Sequence, residues 1–323
     1  MQYTRLGNSG LRVSRIALGC MSFGDTSRGF NDWSLDDAGA EPILRQAVES
    51  GINFWDTANF YGYGTSEEIV GRAVKKYTRR EDVVLATKVY FKMHDGPGGS
   101  GLSRKAILEQ LDASLTRLGT DYVDLYQIHR FDSETPIEET LDTLNDVVKS
   151  GKVRYLGASS MWAWQFSKLQ YVAKMNGWAS FVSMQDQYSL VQREEELEMF
   201  GLLADQGVSS MPWSPLAKGR VARPWGEQTE RSAIDSAASW ILPPNKDKPI
   251  VDAVEAIAKK HAVPMAQIAL AWVLRNPVVA APVVGSTKPR HLTDAVAALD
   301  IELSDDDVAA LEANYTPRRP TGF

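Results

Sequence analysis

Short apolar runs alternate with longer amphipathic stretches along almost the whole chain. The runs are Ile16–Leu18, Ile52–Trp55, Val83–Ala86, Val123–Gln127, Tyr155–Ala158, Phe181–Met184, Val208–Pro212 and Val278–Val284. They are short and largely apolar on both faces, as in strands covered on both faces within a parallel sheet. Ahead of them, Asn8, Ser9 and Gly10 supply the turn of a short N-terminal hairpin.

The stretches between the runs carry helix punctuation. Asp36–Ser50 closes on Gly51, and Ser103–Leu118 starts on a serine cap and closes on Gly119. Thr65 to Lys75 opens with Thr65 and Glu68 spaced as a capping box. Pro136–Ser150 has proline in its first turn. Further helices are expected from Trp162, from Arg193, over Asp252–Arg275, from Pro289 and over Ser304–Asn314. Eight strands alternating with helices predict an α/β fold, a (β/α)8 TIM barrel spanning 1–323 as one domain. Ala217–Pro249, after the seventh strand, breaks the rhythm. Rich in Pro, Gly, Trp and charge, it is expected to be a long loop over the barrel mouth.

Composition narrows the function classes. The 323 residues carry a net charge of −6, which disfavours nucleic acid or an anionic membrane as the main partner. Cys20 is the only cysteine, so there is no intrachain disulfide and no multi-thiolate zinc site; no metal is expected. The N-terminal residues lack a signal-peptide pattern and no apolar run spans a bilayer, so a cytoplasmic protein is expected. Gly96, Gly98 and Gly101 match G-x-G-x-x-G, but Val89–Asp95 separate them from the strand. A Rossmann turn follows its strand directly, so this segment is expected to be a plain loop.

Four polar residues stand at or just past strand ends: Asp56 and Tyr61 after the second, Lys88 in the third and His129 after the fourth. Each alone has an ordinary explanation as a cap, a packing phenol, a surface lysine or a core histidine. Together they lie at the end of a barrel where catalytic groups gather. A free phenol, with a pKa of about 10, is too weak an acid for efficient work at neutral pH. An ammonium about 4 Å away would favour phenolate by about 4 kcal/mol at an effective dielectric of about 20. That is roughly three pKa units before desolvation opposes it. Asp56 would hold Lys88 charged, and His129 would orient a carbonyl oxygen.

The chain resembles the aldo-keto reductase superfamily. The likeness lies in GCMSFG, NFWDTANFYGYGTSEEIVGRA, VVLATKV, DYVDLYQIHRFD, GKVRYLGASS, SMQDQYSL, MPWSPLAKG and PVVGSTKP, in order through nearly the whole chain. It is greatest to a bacterial branch with aryl-alcohol-dehydrogenase-like and ketoreductase members. The resemblance implies NADPH-dependent reduction of aldehydes or ketones, with Tyr61 as general acid beside Asp56, Lys88 and His129.

It also implies cofactor positions. They are Gly19, Cys20 and Met21 after the first strand, Asp56, and Ser159, Ser160 and Gln185 for the nicotinamide carboxamide. Trp213 would stack on the ring. Ser214, Pro215, Leu216, Lys218, Gly219 and Arg220 would contact the pyrophosphate. Gly285, Ser286, Thr287, Lys288 and His291 would surround the 2′-phosphate. Relatives often carry Asn at the place of Ser160 and Arg at the place of His291. Lys288 and Arg290 favour NADPH over NADH. Phe23, Phe60, Tyr90, Phe91, Trp162 and Trp225 are expected to line or cover the substrate site, with Trp240 beside Trp225 in the long loop; such lining suits a flat or apolar carbonyl compound. Two alternatives remain open: a redox-sensing cofactor-binding module with slow turnover, and a Schiff-base aldolase using Lys88. Oligomeric state is not legible.

Overall fold

The computed structural model describes residues 1–229 and 246–320. Strands β1 (Tyr3–Arg5) and β2 (Arg12–Ser14) form the expected antiparallel hairpin. Eight parallel strands follow: β3 (Ala17–Gly19), β4 (Phe54–Asp56), β5 (Val84–Val89), β6 (Val123–Ile128), β7 (Val153–Ser159), β8 (Phe181–Gln185), β9 (Ser209–Ser210) and β10 (Val283–Gly285). Each pairs with the next from β3 to β9, and β10 pairs with β3. The remaining seam closes through bridges Ser210–Val279 and Trp213–Val283, and Val283 N donates to Pro212 O at 2.8 Å. The chain thus has the α/β (β/α)8 barrel architecture. The last two strands are shorter than the apolar runs predict, because Pro212 and Pro282 have no N–H for a ladder.

The apolar character of both strand faces has a simple cause: each strand faces two cores. Ala17, Phe54, Val84, Ala86, Leu125 and Met211 fill the barrel, and Leu6 and Val13 from the hairpin join that cluster. Leu18, Trp55, Leu85 and Tyr126 point outward into a larger cluster shared with the helices. Strand side chains alternate with period two. Asp56, Lys88 and Gln127 therefore point inward, one layer above Phe54, Ala86 and Leu125.

Ten helices are described: α1 (Asp37–Glu49), α2 (Thr65–Tyr77), α3 (Arg104–Leu118), α4 (Ile137–Lys149), α5 (Ala163–Met175), α6 (Met199–Gln206), α7 (Lys248–His261), α8 (Met265–Arg275), α9 (Pro289–Ala297) and α10 (Asp305–Glu312). Asp36, Ser103 and Ser304 cap α1, α3 and α10 with their side chains. Among the described residues, no helix is long and apolar enough to cross a membrane.

Three expectations need correction. Thr65 and Glu68 form no capping box; Gly64 precedes α2 in a left-handed conformation without a side-chain cap. The Thr65 hydroxyl instead donates to Gly62 O at 2.8 Å and accepts from Asp25 N at 2.9 Å. The continuous helix expected over Asp252–Arg275 is broken into α7 and α8 by left-handed Ala262 and by Pro264. Finally, Lys248 and Pro249 belong to α7 rather than to the preceding loop, most of which (230–245) lies outside the described residues, Trp240 included.

Candidate active site

The four polar residues converge at the upper end of the barrel interior. Lys88 is fully buried, and its Nζ donates to Asp56 Oδ2 at 2.5 Å, Thr57 O at 2.9 Å and Tyr61 Oη at 3.3 Å. Asp56 Oδ1 accepts from Gln127 Nε2 at 2.8 Å and Gln185 Nε2 at 3.0 Å. Buried carboxylate and ammonium are thus paired, and each has further hydrogen bonds, as low dielectric requires. Gly157 makes room for this layer: a Cβ there would lie 2.8 Å from Gln127 Cγ and 2.7 Å from Ser183 Oγ.

Tyr61 stands on a tight turn, Tyr61–Gly64, between β4 and α2. Gly62 (φ 55°) and Gly64 (φ 95°) supply the left-handed backbone, and a Cβ on Gly62 would meet Thr65 Oγ1 at 2.3 Å. The turn leaves Tyr61 partly exposed while its hydroxyl reaches Lys88. His129 lies edge-on to Tyr61, ring centres 5.8 Å apart, and to Phe91, 4.8 Å apart.

Desolvation reshapes the acidities. Burial lowers Lys88 most, yet the attraction of Asp56 and Tyr61 outweighs it and holds the ammonium above its ordinary range. Burial raises Tyr61, and the opposing field of Lys88 only partly offsets it. The expected lowering of the phenol pKa is therefore reversed in the protein alone. Burial, then Lys88 and Arg130, push His129 well below its usual value, so it is neutral. Its Nδ1 is buried with no hydrogen-bond partner among the described residues, which favours the tautomer bearing the proton on Nε2.

The same mouth gathers most of the remaining expected positions. Ser159 Oγ donates to Gln185 O at 2.8 Å, and Trp213 Nε1 donates to Ser160 Oγ at 3.1 Å. Ser160, Ser214 and Lys218 adopt left-handed backbone, and Ala217–Gly219 is a short 3-10 turn after Pro215 and Leu216. Gly19 and Gly285 face each other in the β3–β10 register, with partly exposed Met21 following. Lys288 is the exposed N-cap of α9, with Thr287 and His291 flanking it.

Other positions have different surroundings. Cys20 and Phe23 are fully buried in the helix-facing core, so neither side chain lines the mouth. Burial, with Asp56 nearby, raises the Cys20 thiol well above its ordinary pKa. Ser286 is also fully buried, its hydroxyl donating to Lys288 O at 2.7 Å. Arg220 pairs with buried Asp247 at 2.5 Å, and Asp247 also binds Arg318 at 2.6 Å. Trp225 packs partly buried against the core, with Arg220 5.9 Å from its ring. Trp162 is 47% exposed at the start of α5.

Three residues beside the site escaped the sequence reading. Gln127 carries a visible signal, a polar residue in the apolar run VDLYQI. Arg130 follows His129 directly. Phe30, from the loop after β3, meets Phe60 edge-on at 5.2 Å and lies 6.2 Å from Tyr61; nothing local in the sequence distinguishes it.

The model of the Aldo/keto reductase family matches residues 15–315. The chain belongs to the aldo/keto reductase family. It is 45% identical over 340 residues to versiconal hemiacetal acetate reductase of Aspergillus parasiticus, covering 98% of each chain. It is 41% identical to a putative aryl-alcohol dehydrogenase of Schizosaccharomyces pombe, covering 98% of this chain and 96% of that one. A putative aryl-alcohol dehydrogenase of Saccharomyces cerevisiae is 38% identical, with 99% and 98% covered. These relatives are fungal, so they lend no support to the expected bacterial branch. As an aldo/keto reductase, the protein is an oxidoreductase enzyme, of a family that generally uses NAD(P)H in carbonyl reduction.

Proposed function

We propose that this enzyme reduces aldehydes or ketones with NADPH, Tyr61 being the general acid, and that it is an aryl-alcohol-dehydrogenase-like member of the family. The observation that carries the reading is the buried contact chain Asp56–Lys88–Tyr61 beside neutral His129. A raised phenol pKa keeps Tyr61 protonated and able to donate near neutral pH. As the proton leaves, negative charge develops on the phenol oxygen 3.3 Å from the Lys88 ammonium. The stabilisation is thus largest when the proton is in transit. Asp56 keeps Lys88 charged, and His129 donates from Nε2 to the substrate oxygen.

The dinucleotide supplies the hydride when bound. Ser159, Ser160, Gln185 and Trp213 would hold its nicotinamide end, and the left-handed turn at Ser214–Lys218 would pass its pyrophosphate. Lys288 and the open N-terminus of α9 suit a phosphate: α9 has no side-chain cap, and the exposed ammonium adds charge. The fit is thinner at Ser286 and Arg220, whose polar groups already have partners within the chain.

Steady-state oxidation of NADPH and NADH with a panel of aromatic and aliphatic aldehydes tests the reading. Turnover with NADPH supports it. Tight cofactor binding with negligible turnover across the panel would favour a redox-sensing module. The aldolase alternative needs an uncharged Lys88, whereas Asp56 and Tyr61 hold it as an ammonium. Borohydride trapping that leaves a carbonyl adduct on Lys88 would overturn the reductase reading.

A further inference from the structure

Arg130 introduces a second cation beside the site, and among the described residues it lacks the carboxylate partner that three other poorly exposed cations have. Lys88 has Asp56, Arg117 has Glu67 and Arg220 has Asp247. Among the described residues, Arg130 forms no ion pair with a carboxylate. Its one side-chain hydrogen bond among the described residues runs from Nη1 to His129 O, at 2.5 Å. A guanidinium has five N–H donors in a planar fork, so most of its donor capacity is uncommitted. The group is only partly exposed, which makes the lack of a partner costly.

Its neighbours place it at the substrate side. Its guanidinium carbon lies 5.3 Å from the Phe91 ring centre, and Phe91 packs 4.8 Å from His129 and 5.0 Å from Phe60. Tyr61 and Tyr90 are the ionisable groups whose charge Arg130 feels, and no carboxylate is among them. An aromatic floor made by Phe60, Tyr90 and Phe91 therefore adjoins both the phenol of Tyr61 and an unpaired fork of donors.

We propose that Arg130 binds an anionic oxygen group on the substrate, so that aromatic aldehydes bearing a carboxylate are preferred over their neutral counterparts. The proposal rests on the carbonyl-reductase reading of the same site. Guanidinium and carboxylate match as two parallel hydrogen bonds, a geometry that lysine does not reproduce.

The test compares kcat/KM for meta- and para-carboxybenzaldehyde with that for their methyl esters, using NADPH and the wild type, Arg130→Met and Arg130→Lys. For at least one isomer, the wild type should prefer acid over ester by about tenfold or more. That ratio should collapse towards unity in Arg130→Met and be partly retained in Arg130→Lys. Equal use of acid and ester by the wild type overturns the proposal, as does a preference that survives Arg130→Met. A merely structural arginine would depress acid and ester alike. If no aldehyde turns over, the reductase reading fails separately. Calorimetric binding of para-carboxybenzaldehyde and its ester to the wild type then decides the role of Arg130 by the same ratio.

Discussion

The ammonium of Lys88 lies 3.3 Å from the Tyr61 hydroxyl, yet the phenol is a weaker acid than in water. Burial acts on the phenolate more strongly than the neighbouring charge, part of which Asp56 cancels at 2.5 Å from the same nitrogen. In the proposed reaction the pair would stabilise charge as it appears during proton transfer rather than hold a phenolate beforehand. In the protein without cofactor, phenolate absorbance from Tyr61 should therefore appear only above pH about 10. Ultraviolet difference titration of the wild type against Tyr61→Phe reads this directly; a phenolate at neutral pH would refute the balance drawn here. Tyr61→Phe should also lower kcat by about 10²–10⁴-fold while NADPH still binds.

Removing one member of the buried pair should cost more than removing both charges. Lys88→Met strands Asp56 in the barrel and should destabilise the fold by about 3–5 kcal/mol. Lys88→Met combined with Asp56→Asn should regain much of that stability but none of the activity. Urea unfolding of Lys88→Met, Asp56→Asn and the double variant checks it, and simple additivity of the two single losses would show that the charges are not coupled.

Two buried carboxyls, Asp186 and Glu195, predict a pH dependence of stability. Burial pushes Asp186 up to about 7, and burial with the charges of Asp186 and Glu194 pushes Glu195 up to about 9. Asp186 Oδ1 accepts from Ser210 at 2.7 Å, and its Oδ2 has no partner among the described residues. Unfolded, both carboxyls would titrate near pH 4. Between that value and the raised ones the folded state binds more protons, so stability is greatest at the acidic end and falls as pH rises. The slope is about 1.4 kcal/mol per pH unit for each group engaged. Asp186→Asn, which keeps an acceptor for Ser210, should flatten the fall. Superimposable melting-temperature profiles for variant and wild type would count against it.

Gly62→Ala tests the turn that presents Tyr61. A left-handed alanine costs about 1–2 kcal/mol, and its Cβ would strike the Thr65 hydroxyl at 2.3 Å. The turn should shift, so kcat should fall by a larger factor than the melting temperature implies. Gly10→Ala has open space around its Cβ and negative φ, and it serves as the control.

Lys288→Glu should weaken NADPH binding by about tenfold or more and NADH far less, because only NADPH carries the 2′-phosphate. Fluorescence titration with both dinucleotides checks this, and equal losses would remove Lys288 from the phosphate site.

The sequence by itself determined the architecture and the upper layer of the barrel. Doubly apolar runs separated by capped helices define strands that face two cores, and period two then turns Asp56, Lys88 and Gln127 inward. Other features depended on tertiary packing. Phe23 looked like a mouth residue because it follows a strand, but the direction of its loop sends it into the outer core. Thr65 looked like a cap, but the neighbouring glycines left its hydroxyl to tie the Tyr61 turn. The acidity of Tyr61 changed sign because distance from Lys88 can be guessed along a strand, whereas the loss of water around the phenol depends on everything packed over it. Arg130 is an ordinary residue in the sequence; only the folded chain shows that no carboxylate among the described residues comes to meet it.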